Sequence, residues 1–528
     1  MLKKKLAKAL SLVLAVSMLT ACGSGAASTQ ADGAQKADSG KEETIKVMIW
    51  DRGTAAAGTS QEENPTVDWI REQVKEACNI NVEFVSVPRS GSDDKLNIMM
   101  SGGNAPDVVF TYDQSIFTNY ATNGGLADLT EAYAKNGAQI QEISGEIQTM
   151  GQLDGKQYAI MKQREASGAR HMAYIRKDWL DVLGMEVPTT KEELFECLYA
   201  FKEKNPGGVD RPVPWAMGGS TDTARFYLNF VGSYVDQLND KDAFIYGGAD
   251  GEYLIFAPGA VDGIRKMNEL YNDGIISKDF VTDTTIDLFQ QDITSGNAGF
   301  VLGDRTNPVF SNIPVLKATV EGAQLVPVNC FDLPDGTYRN PAEPLYGMFI
   351  MVPKTSQDKA DAVMKYLNWM VNPDVAENLS FTPDHKRTED GIPVWPTEEE
   401  LKAGSYPGNG PDYNIMNDRY SYWESKNGVV ASLMASNDWE TKEYFENFYD
   451  LTYVEGHFVY PAYPAVLETE SNYGANVKKM AIEYVYKLIC CDPASFDAVQ
   501  QEEYGKLVSA GLEKILEERA AWYDANVG

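Results

Sequence analysis

Histidine is nearly absent: His171, His385 and His457 are the only three in 528 residues. They are too dispersed to form a paired metal-ligand motif such as H-E-x-x-H. Cysteine is scarce as well, six in all, and too scattered for a disulfide framework. Cys78 and Cys197 sit in apolar helical patterns and read as buried thiols. Cys490-Cys491 is a vicinal pair with no second pair at zinc spacing. Positive charge is in deficit: 46 Lys and Arg face 77 Asp and Glu, a formal net charge of −31. Such a surface favours solubility and repels nucleic acid and anionic membrane. No stretch reaches the roughly 18 apolar residues that span a bilayer. G-x-S-x-G and the phosphate-binding loop are also missing. With 77 carboxylates, neighbours such as Asp93-Asp94 arise by chance and carry no glycosidase signal. The chain is therefore expected to be non-catalytic, with no cofactor and no metal.

The amino terminus is rich in signal. Lys3, Lys4, Lys5 and Lys8 precede an apolar run, 9–19, of signal-peptide length. Leu19-Thr20-Ala21-Cys22 comes next and resembles the bacterial lipobox, whose cysteine receives diacylglycerol. This predicts a removed signal peptide over 1–21 and a lipid anchor at Cys22, held by buried methylenes. Residues 22–43 are small and polar and read as a flexible tether.

The hydrophobic share of 43% and the length allow a large core. Ile45-Lys46-Val47-Met48-Ile49-Trp50 is strand-like and stops at Asp51-Arg52-Gly53. Val67 to Ala77 has amphipathic helical spacing, and Ile80 to Val87 alternates as a second strand. Strand, helix, strand is the opening of a doubly wound α/β unit. The stretch 94–112, DKLNIMMSGGNAPDVVFTY, is the element around which the chain is organised. Leu96, Met99 and Met100 recur at helical spacing, Gly102 and Gly103 end that helix, and Pro106 keeps Ala105 extended. Asp107-Val108-Val109-Phe110 then reads as a short buried strand leading into Tyr112 and Asp113. In open α/β sheets that edge is where ligands bind. Segment 386–418, rich in Pro, Gly and charge, is expected to wrap the surface.

The helix, Ser101-Gly102-Gly103 and Ala105-Pro106-Asp107-Val108-Val109 together resemble the first-lobe signature of extracellular solute-binding proteins of ABC importers, specifically the large carbohydrate-type lipoprotein group of family 1. Gly125-Leu126-Ala127-Asp128-Leu129 and Asp154-Gly155-Lys156-Gln157-Tyr158-Ala159-Ile160 match further segments of that family. The longest match runs from Tyr174-Ile175-Arg176-Lys177-Asp178-Trp179-Leu180 to Pro188-Thr189-Thr190-Lys191-Glu192-Glu193-Leu194. The resemblance implies an α/β, two-lobed periplasmic-binding-protein-like fold (type II) with hinge-linked lobes and a central cleft. Lobe 1 is expected to be 44–165 plus 325–378, and lobe 2 to be 170–322 plus 380–528. The same resemblance implies a monomer, anchored by lipid to the outer face of a bacterial cell membrane. It would capture an oligosaccharide and deliver it to ABC permease subunits. Relatives often carry a calcium loop near 205–211; here Pro, Gly and Val hold ligand positions and only Asp210 is a carboxylate, so calcium is not expected there. A surface glycan receptor feeding a sensor and a glycan-active enzyme are the alternatives.

A sugar site needs aromatic faces for the ring and planar polar groups for the hydroxyls. Trp50, Trp215 and Trp423 are the tryptophans least explained by helical core patterns. Each either stacks on a sugar or fills the core. Asp51, Arg52, Tyr112, Asp113, Arg225, Asp304 and Arg305 lie on loops after strands. Each either touches ligand or is a surface charge or an interlobe ion pair. The arginines point to an acidic sugar, since guanidinium pairs bidentately with carboxylate.

Overall fold

The computed structural model describes residues 42–221, 223–248, 251–306 and 308–528. The predicted signal peptide, Cys22 and nearly all of the predicted tether lie outside the described residues.

Strand β1 (Glu43–Asp51) is apolar without a break from Val47 to Trp50 and pairs in parallel with β2 (Ile80–Pro88). Near-continuous apolar sequence is what a parallel strand covered on both faces requires. Between them lies α1 (Pro65–Cys78). The Asn64 side chain accepts from the Val67 N–H, Pro65 occupies the first turn, and Asn79 closes the helix in the left-handed conformation. Helix α2 (Ser92–Gly102) stops at Gly103, φ 66°, as glycine at that position permits. Strand β3 (Val109–Thr111) is next, and Val108 just before it exchanges backbone hydrogen bonds of 2.9 Å with Lys46 and Met48 of β1. Asp107 fixes this junction. Its carboxylate accepts from the Lys46 N–H (2.8 Å), Ser356 Oγ (2.6 Å) and Lys359 Nζ (2.8 Å). Helix α3 (Gln114–Thr122) leaves the edge, capped by Asp113.

Strand β4 (Ala159–Gln163) carries the chain towards a second sheet. That sheet comprises β5 (His171–Arg176), β6 (Val213–Ala216), β7 (Ala298–Asp304) and β8 (Leu325–Val328), in the order β8-β5-β7-β6. β6 lies parallel to β7 and the other neighbours are antiparallel. β9 (Tyr346–Met351) then returns to the first sheet, antiparallel between β3 and β4. Helices α4 (Lys442–Tyr453) and α5 (Glu468–Cys490) complete the second half.

Each sheet has its own apolar core. One runs from Ile45 to Met161 and from Met348 to Met416; the other runs from Ala169 to Phe331 and from Val430 to Ile515. A smaller aromatic cluster of Phe381, Tyr420 and Tyr422, with Trp395 and Trp423 packed on it, is separate from both. The chain crosses between Met161 and Ala169, between Phe331 and Met348, and between Met416 and Val430.

The observed division differs from the expected boundaries. Leu325–Val328, expected in lobe 1, pairs antiparallel with β5 in the second sheet. Tyr413, Ile415 and Met416, expected in lobe 2, belong to the first core. Residues near a crossing read as strand or loop whichever core receives them, and the pairing partner decides. Pro327 suits the outer position that β8 takes, since it has no N–H to donate. Segment 386–418 is likewise more than a surface wrap. It carries Trp395 and the buried Tyr413, Asn414 and Asn417.

Candidate functional site

β1 and β3 end side by side, and this brings Trp50 and Tyr112 together. Their rings stack at 5.9 Å between centroids with 28° between planes, and the edge of Phe110 supports Trp50 at 5.0 Å. Arg89, just after β2, places its guanidinium 4.2 Å from the centre of the Trp50 ring, and Arg52 reaches it at 5.5 Å. A cation over an indole face is held by the ring quadrupole. Trp50 is nearly buried by these neighbours, while Tyr112 is 44% exposed.

Beyond this edge opens a cavity of about 380 Å³ between the two cores. Trp50 and Tyr112 form one wall, Trp395, Tyr420, Tyr422 and Trp423 a second, and Phe448 and Tyr453 of α4 a third. Trp423 stands edge-on to Tyr453 at 5.2 Å and stacks on Tyr422 at 5.9 Å. The charges here are largely matched. Arg52 pairs with Asp412 at 2.6 Å, and that hydrogen bond raises its pKa. Lys162 lies 2.9 Å from Asp418; burial works against its charge, and the Asp418 carboxylate keeps the ammonium protonated.

A second cavity of about 270 Å³ shares Arg89 and Tyr112 with the first. Arg164, Arg170, Gln114, Tyr346 and Glu343 also line it. Glu343 is paired with Arg164 and, at 2.5 Å, with Arg305, which also holds Glu165 at 2.9 Å. Burial would raise the Glu343 pKa; the Arg164, Arg305 and Arg170 charges hold it well below the usual carboxylate range.

The structure distributes the expected site residues unevenly. Trp50, Arg52, Tyr112 and Trp423 meet at the large cavity. Asp113 caps α3, accepting from the Ser115 N–H at 2.7 Å, and lines two smaller cavities with Lys478 instead. Arg305 is committed to Glu165 and Glu343, joining the end of β7 to two crossings. The Asp304 carboxylate accepts from the Thr306 N–H and closes a turn. Asp51 is exposed and accepts from the Gly53 N–H. Arg225 lies over Phe226 at 5.6 Å, away from the large cavity. Trp215 is a correction. It is 0% exposed, wedged edge-on between Phe230 (5.3 Å) and Phe300 (5.1 Å) in the second core.

Arg89, Trp395, Tyr420, Tyr422 and Tyr453 were not expected here. Arg89 was open to the same argument as Arg52, being the residue after a strand. The run Tyr420-Ser421-Tyr422-Trp423 was visible as aromatic density. Among the described residues no cluster of three or more His, Cys, Asp or Glu is arranged to hold a metal ion, and no helix is long and apolar enough to cross a membrane.

The profile of the family described as "Bacterial extracellular solute-binding protein" matches residues 59–377. This chain belongs to that family. Among curated relatives of this solute-binding protein, the polygalacturonan/rhamnogalacturonan-binding protein YtcQ of Bacillus subtilis (strain 168) is 24% identical over 86% of this chain and 88% of its own. The fructooligosaccharide ABC transporter substrate-binding protein FusA of Streptococcus pneumoniae is 25% identical over 45% of this chain and 46% of its own. The fold matches the alginate-binding protein AlgQ2, solved without calcium, with a TM-score of 0.63 at 18% identity, over 92% of this chain and 98% of that one. It also matches FusA in complex with kestose, TM-score 0.65 at 14% identity, over 91% and 99% of the two chains. The solute-binding protein thus has the two-lobed, hinge-linked α/β architecture, and its large cavity lies between the lobes.

Proposed function

We propose that this solute-binding protein captures an oligosaccharide between its lobes and presents it to the permease subunits of an ABC importer, without chemical change to the sugar. One observation carries this: an interlobe cavity walled by Trp50, Tyr112, Trp395, Tyr420, Tyr422 and Trp423. Aromatic faces cover the C–H faces of pyranose rings, and flanking polar groups satisfy the hydroxyls. The names of YtcQ and FusA, each a binder of saccharide chains, support the same class of ligand. Trp50, Arg52, Tyr112 and Trp423 are the contact residues of this reading. Asp51, Asp113, Arg225, Asp304, Arg305 and Trp215 do not touch the sugar in it.

The two cores act as two lobes, 43–163 with 345–417 and 169–331 with 430–528. Sugar touching both stabilises the closed arrangement, because only there does it contact both halves. The protein works as a monomer on the outer face of the cell membrane, tethered by lipid at Cys22. Calorimetry against an oligosaccharide panel tests the binding, and small-angle scattering tests the closure. A binder that shrinks the radius of gyration supports the proposal. A panel with no binder, or turnover of any member, refutes it. Loss of membrane fractionation in Cys22→Ala tests the anchor.

A further inference from the structure

The smaller of the two adjoining cavities is cationic inside a protein of formal charge −31. Arg89, Arg164 and Arg170 line it against one carboxylate, Glu343. That carboxylate is already committed, being paired with Arg164 and with Arg305 outside the cavity wall. Arg89 is left with no carboxylate of its own among the described residues. We propose that this cavity is a subsite for a carboxylate carried by the bound sugar, which makes the ligand a uronate-containing oligosaccharide. The proposal rests on the oligosaccharide reading above and narrows it.

Arg89 is the residue that decides the matter. Among the described residues it has no carboxylate within ion-pair distance, and its buried Nε has no hydrogen-bond partner. Asp93 feels its charge only through space. Its guanidinium lies over Trp50, and a guanidinium on a ring face keeps its in-plane N–H donors for another acceptor. Arg89 also lines both cavities. An anion bound to it sits where the aromatic wall ends, which is where the carboxyl of a uronate lies when its ring is stacked next door. A neutral hexose has a hydroxymethyl group at that position, whose oxygen accepts a hydrogen bond but brings neither the charge nor the paired oxygens that match a guanidinium. The arginines concerned are not those expected from the sequence: Arg52 and Arg305 are neutralised by Asp412, Glu165 and Glu343.

The test uses matched pairs of probes. Trigalacturonate and trimannuronate are each compared by calorimetry with the neutral trisaccharide made by reducing their carboxylates to hydroxymethyl groups. The full chain and its Arg89→Gln and Arg89→Lys variants are titrated. At least one uronate binds about tenfold or more tightly than its reduced partner, and the ratio falls as salt is raised to about 0.5 M. Arg89→Gln removes the preference by weakening the uronate far more than its neutral partner, and Arg89→Lys restores part of it. Unchanged melting temperatures show that both variants fold. Neutral partners binding as tightly as the uronates, or a uronate preference untouched in Arg89→Gln, overturn the subsite and leave the oligosaccharide reading standing. Failure of all four probes while the wider panel yields a neutral binder overturns the subsite in the same way. Failure of every sugar overturns both.

Discussion

The two sheets meet the cleft differently. At the first, β1 and β3 end in Trp50 and Tyr112, and what lies over them is Arg89 and an open cavity. At the second, β6 carries Trp215 to a similar position, but the chain comes back to cover it. Segment 275–277 extends the sheet there, the Trp215 N–H donating to the Ile275 carbonyl at 3.0 Å and the Ser277 N–H to the Trp215 carbonyl at 3.1 Å. Phe230 and Phe300 close the remaining faces. An aromatic at a strand end marks a binding edge only where no later segment covers that edge. The asymmetry also extends to charge. Just past β2, Arg89 has no ion pair among the described residues, whereas the end of β7 consumes Arg305 in a network with Glu165 and Glu343.

The sharpest way to break this comparison is to treat both tryptophans alike. Trp215→Ala opens a void in the second core and costs about 3–5 kcal/mol of stability, read by chemical denaturation. Sugar affinity of the folded fraction stays within about twofold. Lost affinity at full stability would return Trp215 to the site.

The ion network gives an effect of similar size with a pH signature. Glu343→Gln removes the carboxylate that Arg164 and Arg305 share and costs about 3–5 kcal/mol near pH 7. The Glu343 pKa is depressed in the folded protein from its ordinary 4.5. Its contribution is thus complete above that value and is lost as pH falls through the lower folded one. The gap in melting temperature between wild type and Glu343→Gln is flat above about pH 5 and narrows below it. A gap constant down to pH 3 would contradict the network.

Smaller effects separate the cleft residues from their neighbours. Tyr112→Ala removes a half-exposed ring, so stability changes by about 0.5 kcal/mol or less while affinity falls about tenfold. Asp51→Asn, outside the cavity, changes affinity by less than about twofold.

Much of the first lobe was legible in the sequence because its signals are local. Asn64 with Pro65 and Gly103 after Met99 and Met100 act within a few residues, and so, in the second lobe, does Thr190, which accepts from the Glu193 N–H. The expected helix over 67–77 and strand over 80–87 are found at Pro65–Cys78 and Ile80–Pro88. Trp50 and Tyr112 were also legible as strand-end aromatics. The features that escaped sequence reading depend on distant chain. The burial of Trp215 is decided by residues 230, 275–277 and 300. The pairing of Leu325–Val328 is decided by β5, and the aromatic wall over 395–423 by how the third crossing folds back between the lobes.

The most direct measurement is a thermal-shift screen of oligosaccharides against wild type and the Tyr112→Ala/Trp423→Ala double variant. At least one oligosaccharide raises the wild-type melting temperature by several degrees, and the double variant, melting normally on its own, shows no shift. An oligosaccharide that shifts both proteins equally would place the sugar somewhere other than this cavity.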